Sequence, residues 1–375
     1  MLGHVAVGSW SGGRFMRFGE PISDERLEAL LRPGGGIRTI MSADVYGAGE
    51  ADALVGRALA GVPRSDYALV GAVGHDFYEG EREGAKGYPR FTDPRLRGPD
   101  GYRDYLRTAT ERSLDRCGVD SFDVLLLHNP DRRGFESPEV WEALRELRDE
   151  GLTRALGVAP GPANGFTLDL IGCFERYGEL IDWAMVILNP LEPWPGELVL
   201  DAAARFEIRI VTRVVDYGGL FHDDLVPGHR FPHGDHRGFR PEGWVEAGSE
   251  KLERLRPIAE RHGLTMLQLA CVWNLSHAAV DCVAPTLIEE PDAAKPIERK
   301  REELAAAPDH SPLSVEEVVE IRAIGDNTGS MLLKGATPDH EGEEQPDRWA
   351  PAPEQVELAR RWRIDPDRDL RRTAA

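Results

Sequence analysis

Residues 37–47 read Ile37-Arg38-Thr39-Ile40-Met41-Ser42-Ala43-Asp44-Val45-Tyr46-Gly47. A short apolar run ends at a polar break that presents Asp44 and Tyr46, and helix-period sequence takes over from about Glu50. The same succession of run, break and helix recurs along the chain, so this stretch is one unit of a series. A tyrosine just past a strand end, in such a series, stands where a general acid or base would be placed.

Working outward, strand-length apolar runs fall at residues 5–7, 37–41, 67–73, 122–127, 154–158, 183–188, 208–215 and 280–284. Helix-period segments follow them: 24–31, 50–60, 102–117, 138–150, 168–176, 197–206, the pair 248–262 and 265–277, and 296–306. Ser23 and Asp24 offer N-caps, Pro138 takes a first helical position, and Gly151 closes that helix. Strands alternating with single helices imply parallel pairing and right-handed crossovers. Eight such units predict a (β/α)8 TIM barrel over residues 1–310, with a helical C-terminal extension, 311–375, packed on it. An open doubly wound sheet is the alternative, but no G-x-G-x-x-G follows the first run. Two long loops, 74–101 and 216–243, then fall on the C-terminal face of the barrel. Their aromatics (Phe77, Tyr78, Tyr88, Phe91, Phe231 and Trp244) are expected to wall a pocket.

Lys+Arg number 45 against 65 Asp+Glu, a net charge of -20 that disfavours nucleic acid and anionic membrane as partners. The four cysteines (Cys117, Cys173, Cys271, Cys282) are far apart and sit in or beside apolar runs, as buried reduced thiols do. The first residues carry no charged-then-apolar secretory pattern, and no run approaches the ~18 residues of a membrane span. A cytoplasmic protein taking a small-molecule substrate is the expectation.

His128 ends the fourth run, where a purely core role would be odd, and it joins Tyr46 as a candidate. Asp44 and the pair His75-Asp76 also lie just past strand ends and could supply charge. Lys86 lies in the third loop and could swing in. His229, His233, Asp235 and His236 have ligand-type side chains at close spacing, but a polar loop is the better reading, and no metal is expected.

Five landmarks in register, Gly8-Ser9-Trp10, Ser42 to Gly47, Leu125-Leu126-Leu127-His128-Asn129-Pro130, Arg154 to Val158 and Gly218-Gly219-Leu220, resemble those of the aldo-keto reductases over about residues 5–305. The resemblance implies a (β/α)8 barrel that reduces aldehydes and ketones with NADPH through a tyrosine, a histidine, a lysine and an aspartate. Tyr46 matches the proton-donating tyrosine and His128 the carbonyl-orienting histidine. Met41 stands where the family has its aspartate and Ala72 where it has its lysine. Losing both members of a buried ion pair restores a neutral interior, so the two replacements read as one coupled change.

At the cofactor positions the resemblance places Ala159-Pro160 and Met185 in place of the nicotinamide-amide ligands. It places Arg213 at the stacking aromatic, Thr286 at the start of the phosphate loop, and Glu302 in the closing helix. Glu289 and Glu290 fall where a 2′-phosphate would land, so NADH is expected to bind at least as readily as NADPH. The expected activity is an altered NAD(P)H-dependent reduction of a small carbonyl or polyol. A redox-neutral lyase, dehydratase or isomerase using Tyr46 and His128, and a non-catalytic binding barrel, remain the alternatives.

Overall fold

The computed structural model describes residues 1–84, 87–291, 295–328 and 349–371. Eight strands hydrogen-bond in sequence order, every pair parallel: β1 (Ala6–Gly8), β2 (Thr39–Met41), β3 (Ala68–Val73), β4 (Val124–His128), β5 (Leu156–Ala159), β6 (Trp183–Ile187), β7 (Arg209–Arg213) and β8 (Val280–Ala284). A parallel bridge between Val5 and Val283 brings the last strand back to the first and closes the barrel.

The crossovers are α1 (Asp24–Leu31), α2 (Glu50–Leu59), α3 (Tyr102–Cys117), α4 (Arg132–Glu136) with α5 (Pro138–Asp149), α6 (Phe166–Tyr177), α7 (Leu200–Arg205), the pair α8 (Trp244–Arg261) and α9 (Met266–Leu275), and α10 (Ile297–Ala305). Ser23 caps α1 by accepting from the Arg26 amide. Pro138 opens α5, where a missing N–H costs nothing, and Val140, Leu144 and Leu147 turn inward as their spacing requires.

Two cores result. Strand residues pointing inward (Ala6, Met41, Val70, Leu126, Trp183, Cys282) fill the barrel, and outward ones meet the helix stripes in a larger shell. Several strands start one or two residues later than their apolar runs. Phe122, for example, is wholly buried but lies under Gly71, where an added Cβ would come within 2.5 Å of its ring. Beyond the barrel, α11 (Val315–Gly325) buries Ile321 and Ile324, and α12 (Pro353–Arg361) sets Leu358 against α6. All four cysteines are buried and unpaired. No helix among the described residues is long and apolar enough to cross a membrane.

Candidate active site

The strand that opened the sequence reading ends at Met41, and the chain then turns tightly: the Tyr46 amide bonds the Ala43 carbonyl at 3.0 Å. Gly47 follows at φ 61°, and a Cβ there would press within 2.8 Å of the Phe15 ring. Behind the turn lies a buried polar relay. Ser9 Oγ donates to Ser42 Oγ at 3.2 Å, Ser42 Oγ donates to Asp52 at 2.7 Å, and Ser113 Oγ donates to the other carboxylate oxygen at 2.7 Å. Burial raises the Asp52 carboxyl, and the two serine hydrogen bonds and Arg116 pull it back. The relay fixes the base of the Tyr46 turn from three elements at once.

His128 is the last residue of β4, and its ring stands edge-on to Tyr46 with centroids 5.9 Å apart. His75 packs behind it at 5.3 Å. The His75 ring is oriented at both nitrogens: Nδ1 lies 2.8 Å from the Tyr88 carbonyl, and Asn129 Nδ2 sits 3.2 Å from Nε2. That is the neutral tautomer, donor at Nδ1 and acceptor at Nε2. Asn129 reaches it by adopting φ 46° immediately after the strand. Burial, then the Arg90 charge, holds His75 down to about 4. Burial likewise holds His128 well below the ordinary range, helped by His75 and Arg213, so both imidazoles are neutral near pH 7.

Tyr46 and His128 both line one pocket of about 670 Å³ at the C-terminal mouth of the barrel. Its floor carries Met41 from β2 and Ala72 from β3, both buried, with no charge between them. Arg213, the last residue of β7, is the one formally charged side chain on its wall among the described residues. Val214, next in the chain, lines the pocket with φ 58°, a strained backbone for a β-branched residue. Burial pushes the Tyr46 hydroxyl above its ordinary value, and the Arg213 cation pulls the other way. Tyr46 is therefore a protonated donor beside a neutral imidazole.

Of the residues predicted for the cofactor, Arg213 and Thr286 reach this pocket. Glu302 does not: it is exposed on α10 and pairs with Arg299 at 2.5 Å, because its helix face turns to solvent. The carboxylates expected to repel a phosphate are also not free. Glu289 bonds Arg26 at 3.0 Å and the Ile297 amide at 2.7 Å, and Glu290 is buried against Arg237.

Asp44 points away from the pocket. It is wholly buried, with no hydrogen-bond partner for either oxygen among the described residues, and burial together with the nearby Asp52 raises it well above the usual carboxylate range. Asp76 is held by Arg97 and by the amides of Tyr78 and Glu79. Asp235 clamps Arg237 at 2.8 Å, and His236 bonds the Arg17 carbonyl. Among the described residues no three ligand-type side chains gather as a metal set. Lys86 lies outside the described residues.

The long-loop aromatics do not wall the pocket. Phe91 stacks flat on Tyr105 at 4.9 Å, Phe77 and Tyr78 pack on each other, and Phe231 stacks on Trp244. Phe91 and Trp244 join the main core, and Tyr78 and Phe231 pack against it. The wall comes instead from the loop after β1, through Trp10, Met16 and Phe18. Trp10 carried a sequence signal, since it follows Gly8-Ser9 just past the first run. Gly8 makes room for it, because a Cβ there would fall 2.3 Å from the indole. Met16 and Phe18 carried none.

Comparison with known proteins gives the same frame. The model of the Aldo/keto reductase family matches residues 5–324. The chain is 28% identical over 281 residues to a D-threo-aldose 1-dehydrogenase of a Pseudomonas species, covering 70% of this chain and 79% of that one. It is 28% identical over 295 residues to the NADH-specific methylglyoxal reductase of Escherichia coli, covering 74% and 83%. An aldo/keto reductase structure from Klebsiella pneumoniae, in complex with NADP and acetate, superposes with a TM-score of 0.57 at 22% identity, over 89% of this chain and 95% of that one. With the barrel, the mouth pocket and a family match spanning most of its length, this chain belongs to the aldo/keto reductase family.

Proposed function

We propose that the chain is an NAD(P)H-dependent oxidoreductase acting on a small carbonyl or polyol, with Tyr46 as proton donor and His128 orienting the substrate oxygen. The observation that carries this is the convergence of the two rings, 5.9 Å apart, on one pocket. A carbonyl oxygen set between them would take the Tyr46 proton as negative charge develops on it. Neutral His128 holds that oxygen by a hydrogen bond without competing for the proton. The pocket is sized for a small molecule, and the apolar surfaces of Trp10, Met16 and Phe18 exclude water from it. The relatives' names, an aldose dehydrogenase and a methylglyoxal reductase, support the same substrate class.

The residues present fit a nicotinamide cofactor. Arg213 offers a flat guanidinium on the pocket wall, Thr286 lines the same mouth, and Glu289 and Glu290 are tied to Arg26 and Arg237, which they share with Glu298 and Asp235. Arg213 and Thr286 would hold it, and when bound it supplies the hydride for the carbonyl carbon. Those two arginines are spent on internal carboxylates, which leaves NADH as welcome as NADPH. Without a lysine beside it Tyr46 releases its proton reluctantly. The resting Tyr46 is thus protonated, the state from which reduction starts, and the Arg213 cation steadies the tyrosinate that proton donation leaves.

One observation favours a redox-neutral reading: Arg213 Nη2 donates to the Pro160 carbonyl at 2.7 Å, at the position the resemblance gives to the cofactor amide. Fluorescence titration with NADH and NADPH decides between the two. Saturable binding, no weaker for NADH, is the expected result, and silence to millimolar concentration would transfer the acid–base pair to redox-neutral chemistry. Tyr46→Phe should keep the fold and lower turnover by ~10²-fold or more, the scale of one lost acid–base group. Undiminished turnover would remove Tyr46 from the chemistry.

A further inference from the structure

Beside the mouth pocket lies a second cavity, of about 600 Å³, between the loop after β5 and the loop after β6. Its walls are mostly apolar: Pro162, Ala163, Phe166, Val186 and Val199 among them. Two buried donors stand out against that lining. Trp194 is 2% exposed, and its indole Nε1–H has no acceptor among the described residues. Arg213 lines this cavity as well as the mouth pocket, and its Nε is buried without a partner. Arg213 also has no carboxylate within ion-pair distance among the described residues. Glu192, the acid whose field it feels, also lines this cavity, but its carboxylate is taken by Arg240 at 3.4 Å and by the Asn189 amide at 3.3 Å.

Buried charges are normally paired and buried donors normally bonded, so two unanswered donors on one cavity ask for an acceptor that carries charge. An apolar cavity with a few polar groups is also the usual form of a small-molecule site. We infer that the cavity between the β5 and β6 loops binds a small apolar carboxylate, its body against Phe166, Val186 and Val199 and its carboxylate between Trp194 Nε1 and the Arg213 guanidinium. The site is separate from the one that holds the Tyr46–His128 pair, and Arg213 forms the wall between them. It stands whether or not the nicotinamide reading holds.

Phenylacetate, with neutral phenylacetamide as its control, tests this on the full chain. Phenylacetate should bind at least tenfold more tightly than the amide and shift the Trp194 indole N–H resonance, identified by its loss in Trp194→Phe. A charge-assisted hydrogen bond accounts for a factor of about that size. Arg213→Met should abolish the preference, while Tyr46→Phe should leave phenylacetate affinity unchanged. Equal binding of acid and amide to the wild type, or no shift at millimolar phenylacetate, overturns the site and needs no variant to fold. Loss of phenylacetate binding in Tyr46→Phe would place the ligand in the mouth pocket and also overturn it. A preference that survives in Arg213→Met would deny the role of the guanidinium.

Discussion

Met41 and Ala72 give the mouth pocket an uncharged floor. Both are buried and lie on neighbouring strands, Met41 at the end of β2 and Ala72 one position past its pairing partner Val70's neighbour Gly71 on β3. Met41→Asp would place a carboxylate in the barrel core with no cation beside it, and should cost about 3–5 kcal/mol. Adding Ala72→Lys should recover part of that loss, read as non-additive unfolding free energies in urea. Strict additivity would mean that the two positions do not share a site. At this scale Tyr46 and His128 were legible because each marks the polar step at the end of an apolar run. The Ser9–Ser42–Asp52–Ser113 relay was not. Its members come from four separated segments, and a serine that backs the Tyr46 turn has the same local pattern as one that faces water.

The elements themselves were readable because a buried parallel strand and an amphipathic helix have different periods, and the eight alternations left few other closures. α3 and β8 fall where their runs predict, while the short α4 was missed, having too few residues to show a period. The mouth was the harder problem, since an aromatic in a long loop has the same sequence signature whether it faces a pocket or its own loop. What shapes the wall is the loop after β1, and Gly8 is its hinge point of packing. Gly8→Ala would drive a Cβ into the Trp10 indole, which is only part-buried and can swing outward. We expect a small change in Tm, but at least a tenfold rise in substrate KM as the wall moves. A large loss of stability with KM unchanged would show that Trp10 is a core residue and not a wall.

Across the whole molecule two sets of buried groups titrate against each other. Burial raises Asp169 and Asp216 to about 6, so the folded state holds their protons longer than the unfolded chain and gains stability as pH falls toward that value. His75 does the opposite. Its folded value, about 4, lies below the ~6.5 of an unfolded imidazole, so the unfolded chain takes up the proton first. The stability His75 contributes is whole above about pH 6.5 and drains away as pH falls to about 4. His75→Asn separates the two trends, because it leaves the acids in place and removes one imidazole. Between pH 7 and pH 5 the stability of His75→Asn relative to wild type should improve by about 2 kcal/mol, the linkage value for a shift of that size. Urea unfolding of both proteins at the two pH values measures it, and the carboxylate contributions cancel in the comparison. A difference between the two proteins that stays constant with pH would mean that His75 is not held neutral behind His128.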